Sequence, residues 1–345
     1  MNKNIVNTYS DLKFPAQKRA TILALTLWSL CILSIFGIYL SRGVRQKIHL
    51  VKSLSSRNNL SYIAEAGIQK AIIVLVKDTN APDTLSEDWS NNPTEFHDVN
   101  VGPGIFNVYY AFSDEEGNLE ERYGVLDEEG KININRKNRH VIKRLIEVVA
   151  GLDEMKAQEL AASIVDWRDP DSFLSIPLGS AEDSYYTNLP EPYDCKDDDF
   201  QVLEELHLVK GMNKEIFNKI EDYITVHGNG VVNINTASRE VLAALGIDEL
   251  LIDKIISYRA GDDELQGSGD DNIFGAPANI VPKVSQYVAL SSGEVGALSN
   301  LVAQGVFGTT SQHFTIKSRA QIGSLVKEII CVVNKEGTIL SWSQP

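Results

Sequence analysis

The stretch Ala20–Leu40, ATILALTLWSLCILSIFGIYL, passes 21 residues without a charge. A helix needs about 20 apolar residues to cross a hydrocarbon layer. Lys18 and Arg19 bound the block on one side and Arg42 and Arg45 on the other. A signal peptide would end in a small-residue cleavage site, whereas this block runs on into YLSRGVRQKIHL, basic and still helical in pattern. A helix buried in a soluble core is rarely apolar on every side for so long. The block therefore reads as a membrane anchor. Basic residues lie on both flanks, so the charge rule leaves its orientation open.

Working outward, the polar head 1–19 shows no apolar period and reads as a leader. Beyond the anchor, Ile48, Val51, Leu54, Ile63, Ile68, Ile72 and Leu75 recur mostly at three- or four-residue steps, and no proline stands between Pro15 and Pro82. One helix from Ala20 to about Lys77 is expected, roughly 85 Å long. Residues 78–103 carry loop chemistry. Strands are expected over Ile105–Phe112 and Leu119–Leu126 around a turn at Asp114–Asn118, and three more over Phe314–Lys317, Leu325–Val333 and Thr338–Trp342. The middle of these last three, apolar on both sides, is placed centrally. Asn334–Gly337 supplies a hairpin connection.

Between the two strand groups the sequence looks duplicated. Ile132-Asn-Ile-Asn135 precedes helical runs that meet at Gly151, ending in Asp166-Trp-Arg-Asp169; Val232-Asn-Ile-Asn235 precedes helical runs that meet at Gly246, ending in Ser257-Tyr-Arg259. Thr236 or Ser238 caps the helix that follows, and the asparagines tie backbone turns. The second copy resembles the helix-hairpin-helix pattern of competence-type DNA-binding proteins. Its turn, however, reads Leu245-Gly-Ile-Asp-Glu-Leu250, with acids where a phosphate would sit. With 47 acidic against 32 basic residues and a net charge of −15, nucleic acid is excluded as a partner.

That acid is clustered. Asp166–Asp171, Ala181–Tyr186, Glu191–Asp194 and Asp197–Asp199 crowd one loop, and Asp262–Glu264 with Asp270 and Asp271 form a second. Crowded carboxylates repel unless something neutralises them. Calcium accepts six to eight oxygens in irregular geometry; a solvated acidic face is the other reading. The six histidines form no close ligand pair, and no nucleophile–base signature or phosphate loop is present; Ser163 lacks a GxSxG setting. Of three cysteines, Cys31 lies in the anchor, leaving Cys195 and Cys331 for at most one bridge. No enzyme is expected.

Arg19–Trp28, Ala64-Glu-Ala-Gly67, Gly124–Asp127 with Lys131–Asn135, Asp166–Asp169, Gly179–Tyr186, Leu203–Met212 and Val232–Ser238 together resemble the minor pseudopilin K family of the bacterial type II secretion system, general secretion pathway protein K. The resemblance implies an α+β fold, a pilin-like long N-terminal helix packed on an antiparallel sheet. A large all-α domain with helix-hairpin-helix-like repeats is inserted in it. The divisions expected are 1–20 leader, 21–77 helix with a transmembrane part 21–40, 78–135 first part of the head, 136–231 and 232–305 inserted helical parts, and 306–345 closing strands. It also implies an inner-membrane precursor whose cytoplasmic leader is removed by prepilin peptidase at Arg19-Ala20, giving a mature start at Thr21 and a methylated terminus. The large domain would be periplasmic. Expected partners are the I and J minor pseudopilins, the major pseudopilin filament and the inner-membrane assembly platform, with this chain at the tip of the pseudopilus.

Two departures from the family pattern stand out. Alanine replaces the usual glycine at Ala20, and Leu25 stands where relatives carry the glutamate that neutralises the preceding subunit's terminal amine. A tip subunit has none above it to neutralise. Family members also bind calcium in the helical domain, and the ligands expected here are Asp169, Asp171, Glu182, Asp183, Asp197 and Asp199. Asp262, Asp263, Asp270 and Asp271 form a possible second site. A generic membrane-tethered periplasmic binding module and an anchored hydrolase are the alternative functions.

Overall fold

The computed structural model describes residues 16–113 and 118–344. Residues 1–15 of the expected leader and most of the turn expected at 114–118 lie outside the described residues. Helix α1 (Ala16–Lys77) is unbroken, as a proline-free stretch permits. It passes through two compact units, residues 1–59 and 60–345. In the first unit, Thr21–Ile48 is exposed and long and apolar enough to cross a membrane. Arg19 and Ala20 stand on the α1 backbone, while Thr21 and Leu25 are exposed on it.

In the second unit, α1 turns one apolar stripe inward: Leu60, Ile63, Ala64, Ile68, Ala71 and Leu75 are all buried. The chain then forms α2 (Pro93–Phe96), β1 (Val99–Val101), β2 (Gly104–Val108), β3 (Tyr110–Ser113), β4 (Leu119–Arg122) and β5 (Leu126–Asp127). A first helical part follows: β6 (Ile132–Asn133), α3 (Arg139–Leu145), a π-turn over Ile146–Ala150, α4 (Glu154–Arg168), α5 (Asp183–Tyr186), α6 (Lys214–Ile220) and β7 (Ile224–Thr225). The second helical part holds β8 (Val232–Asn233), α7 (Arg239–Ala244), α8 (Glu249–Ala260), α9 (Ile280–Tyr287), α10 (Ser292–Ala303) and β9 (Phe307–Gly308). The chain closes with β10 (His313–Ile322), β11 (Leu325–Asn334) and β12 (Ile339–Ser343).

The main sheet runs β1-β2-β10-β11-β12, with β5 also beside β10, and every pair is antiparallel. Of the closing strands, β10 pairs with β2 and β5 from the 104–127 region, while β3 and β4 pair with each other in a separate two-stranded sheet. Strand β11 is interior, but only one of its faces is buried: Ile329, Cys331 and Val333 are in the core, while on the other face Val326 is exposed and Ile330 and Val332 are only half-buried. Gly67 marks a close approach of α1 to this sheet, since a Cβ there would run into Ser318 Oγ and the Phe106 ring. The Ala64–Gly67 motif is therefore a packing requirement.

Two separate hydrophobic cores result. One gathers α1 from Leu60, Trp89, Phe106 and the sheet residues Phe314, Ile316 and Ile329. The other lies between Ile132 and Phe307. The inserted part is not all-α. Strand β6 pairs with β7, and β8 with β9, each in a two-residue parallel ladder. Both Asn motifs are built alike: Ile134 N donates to Thr225 O and Ile234 N to Gly308 O, each at 3.0 Å. Asn133 Oδ1 accepts from Asn135 N at 2.8 Å, and Asn233 Oδ1 from Asn235 N at 3.0 Å. Ser238 caps α7 through Val241 N, whereas the Thr236 hydroxyl donates to Asp127.

Candidate metal centre

Each half of the insertion sends a helix into an acidic loop. In the first, Arg168 at the end of α4 donates from Nη2 to Lys137 O at 2.7 Å. In the second, Arg259 near the end of α8 donates from Nη1 to Ala237 O at 2.6 Å. Each loop ends at a buried phenylalanine held by the second asparagine of its motif. Asn135 accepts from Phe200 N and donates to Phe200 O at 2.8 and 2.9 Å. Asn235 does the same with Phe274 at 3.0 and 3.2 Å.

The first loop, 169–199, is wrapped around Tyr186, which is fully buried. Trp167 meets it edge-on with ring centres 5.0 Å apart, and Tyr193 stacks on it at 5.3 Å. Lys210 Nζ donates to Gly179 O and Ser180 O at 3.0 and 3.1 Å. The Asp166 carboxylate accepts from Ser175 N at 3.2 and 3.1 Å, so it holds local backbone. Trp167 is core.

This frame sorts the six carboxylates expected as ligands. Asp169, Asp171 and Glu182 each bring an oxygen within 4.8 Å of the others'. Asp197 joins through Glu182, which also comes within 4.8 Å of it and of Cys195. Asp183 is turned away, accepting from Cys195 N at 2.7 Å. Asp199 pairs with Arg136 at 2.6 Å. Asp169 Oδ1 and Glu182 Oε1 are buried with no hydrogen-bond partner. Burial, and then the surrounding carboxylates, push Glu182 up to about 7 and Asp169 up to about 6. Unpartnered buried carboxylate oxygens are costly. A set of hard oxygens with free lone pairs fits a calcium ion.

The second loop is satisfied internally. Asp270 Oδ2 accepts from Asp262 N and Asp263 N at 2.8 and 3.1 Å. Asp271 accepts from Gly267 N and Ser268 N at 2.7 and 3.2 Å, and Asp263 accepts from Leu265 N at 2.8 Å. Asp262 is exposed. The Ser268 hydroxyl, together with the two backbone amides, holds Asp270 down at about 2.

Cys195 entered the sequence reading only as a possible disulfide partner. It is a free, buried thiol beside the carboxylates, and Cys331 is a free, buried thiol in the other core. Its neighbours Asp194 and Asp197 were the one signal in the sequence that could have marked it.

Geometry thus defines a class: a chain with an apolar helical anchor segment and a pilin-like sheet interrupted between β5 and β10 by a duplicated helical part. Residues 105–229 match the family model described as "Type II secretion system (T2SS), protein K". The chain is similar to the type II secretion system protein K of Aeromonas hydrophila, 25% identical over 198 residues, which cover 55% of this chain and 58% of that relative. It is similar also to the protein K of Pectobacterium carotovorum subsp. carotovorum, 27% identical over 112 residues, 31% of this chain and 34% of the relative. Each match thus spans less than two thirds of the curated relative. A solved structure, that of the GspK-GspI-GspJ complex from the enterotoxigenic Escherichia coli type 2 secretion system, shares the fold. Its TM-score is 0.63 at 16% identity, covering 86% of this chain and 99% of that one.

Proposed function

We propose that the chain is a minor pseudopilin at the tip of the type II secretion pseudopilus. There it initiates or limits filament assembly with the I and J minor pseudopilins, for export of folded proteins across the outer membrane. The observation that carries this reading is the insertion of residues 128–312 between two strands of one pilin-like sheet. Such a mass on the head obstructs the addition of a further subunit. Leu25, exposed on α1, agrees with it, because leucine cannot neutralise a neighbour's amine in hydrocarbon. The anchor lies in the inner membrane with the head in the periplasm, and prepilin peptidase releases the leader between Ala20 and Thr21. The chain's role is structural, not catalytic.

Asp169, Asp171 and Glu182, with Asp197 beside them, would hold calcium, which when bound supplies the positive charge that the loop lacks. The residues themselves fix the loop between α4 and Phe200 and so shape one surface of the helical part.

The test is assembly. Epitope-tagged chain should co-purify with the I and J pseudopilins, and gold labels should sit at filament ends. Uniform labelling along the filament would refute the tip position. Terminal sequencing from peptidase-positive cells should begin at Thr21; a chain still starting at Met1 would refute processing.

A further inference from the structure

We propose that Glu182, Cys195 and Asp197 form a thiol-bearing corner of this loop that takes a thiophilic divalent cation of the zinc and cadmium class. The proposal goes beyond the calcium reading, with which it shares Glu182 and Asp197; Cys195 is its own.

The three ligand atoms, a carboxylate oxygen from each acid and Cys195 Sγ, all lie within 4.8 Å of one another. Bonds of about 2.0–2.3 Å to one ion require them to draw in slightly. Little resists that movement. Asp197 is exposed, and Glu182 Oε1 is buried without a partner. Cys195 Sγ makes only a long contact to Asp166 O at 3.6 Å. Glu182 and Cys195 are both at least nine-tenths buried, while exposed Asp197 leaves an approach from solvent.

The other buried thiol supplies the contrast. Cys331 sits in the sheet core, pushed up to about 12 by burial alone. Cys195 is buried too, but Glu182 and Asp197 each bring a carboxylate oxygen within 4.8 Å of its Sγ. A thiol kept only for packing gains nothing from facing two carboxylates, which disfavour its anion. A divalent cation reverses that cost, since it attracts all three ligands at once. Calcium draws on oxygen and leaves sulfur unused, whereas zinc and cadmium bind thiolate strongly. On binding, the Cys195 S–H bond breaks and an S–metal bond forms. The proton passes to water, the sulfur keeps its electron pair, and no oxidation state changes.

The experiment uses the full chain in detergent, stripped of metal, in a Cys31→Ser/Cys331→Ser background. Cadmium is added while thiolate-to-cadmium ultraviolet absorption is followed. The band should saturate at one cadmium per chain and vanish in Cys195→Ser. In Asp197→Asn, whose exposed side chain should leave folding intact, cadmium affinity should fall about tenfold or more. No band in the parent, a band that survives Cys195→Ser, or unchanged affinity in Asp197→Asn would each overturn the proposal. Melting with calcium and with chelator is recorded on the same samples. A band without a calcium-dependent rise removes the calcium reading and keeps this one; a rise without a band does the opposite.

Discussion

The two acidic loops occupy equivalent places in a duplicated frame and are held together in opposite ways. Both follow a helix whose arginine reaches back to a carbonyl beyond the Asn motif, and both close on an Asn-pinned phenylalanine. In the loop after α8, Asp270 and Asp271 accept from backbone amides of Asp262, Asp263, Gly267 and Ser268 in the same loop. In the loop after α4, Asp169 and Glu182 keep buried oxygens without partners. Clustered acid by itself is thus no metal site. What separates the loops is whether the backbone has already answered the carboxylates.

The frame itself is the first thing to break. Asn135→Ala would strip partners from the N–H and C=O of Phe200, and Asn235→Ala from those of Phe274. An unsatisfied buried backbone group costs about 1–3 kcal/mol, so each variant should lose roughly 2–5 kcal/mol. Thermal melting in chelator measures it. Comparable losses would show the two halves to be equivalent; a near-neutral Asn235→Ala would mean that only the first half depends on its anchor.

Next is the metal response. Calcium at a hundredfold excess over Kd should add about 2.7 kcal/mol to the parent, a rise of roughly 3–5 °C in melting temperature. Glu182→Gln should abolish the rise and yet melt higher than the parent in chelator, because it removes a buried unpaired charge. Asp270→Asn should do the reverse, keeping the calcium response and lowering the baseline. Equal melting of the parent with calcium and with chelator would leave an acidic face and nothing more.

The frame was largely legible in the sequence, and the division of labour within it was not. An uncharged run and the lack of proline from Pro15 to Pro82 announced α1, and short apolar runs around a hairpin connection announced the strands from β10 onward. The parallel ladders escaped notice because two residues carry no period. They join Ile132 to Ile224 and Val232 to Phe307, partners that no local pattern can select. The same limit applied to the site. Six acids in one stretch read alike until the fold shows that Asp183 faces the Cys195 amide and Asp199 faces Arg136.

Acidity should sharpen the contrast further. Glu182 faces Asp166, Asp169, Asp171, Asp197 and the Cys195 thiol, and its pKa stands at about 7 in the folded chain, raised first by burial. A carboxyl raised on folding contributes stability that is full below its unfolded value and lost as pH rises through the folded one. In chelator, the parent should therefore lose stability between about pH 4.5 and 7 relative to Glu182→Gln. Asp270, held at about 2 by the Ser268 hydroxyl and two amides, has the opposite sign. Its contribution is present above the ordinary carboxylate range and disappears as pH falls through about 2. Parallel profiles for the parent and Glu182→Gln would show that Glu182 is not strained.

The smallest effect belongs to Asp199, and it tests how far the metal shell proposed for the first loop extends. Its ion pair with Arg136 spans 2.6 Å between side chains that are 41% and 51% exposed. Water and salt screen such a pair, which is worth about 0–1 kcal/mol. Asp199→Asn keeps the shape and removes the charge, so melting in chelator should move by less than about 2 °C. The calcium-dependent rise should be undiminished, because the carboxylate is occupied by a guanidinium and stands apart from the group formed by Asp169, Asp171 and Glu182. If the rise were lost instead, Asp199 would have to leave Arg136 and turn inward on binding. The loop would then be remade by its ion, and the contrast with the finished loop after α8 would widen.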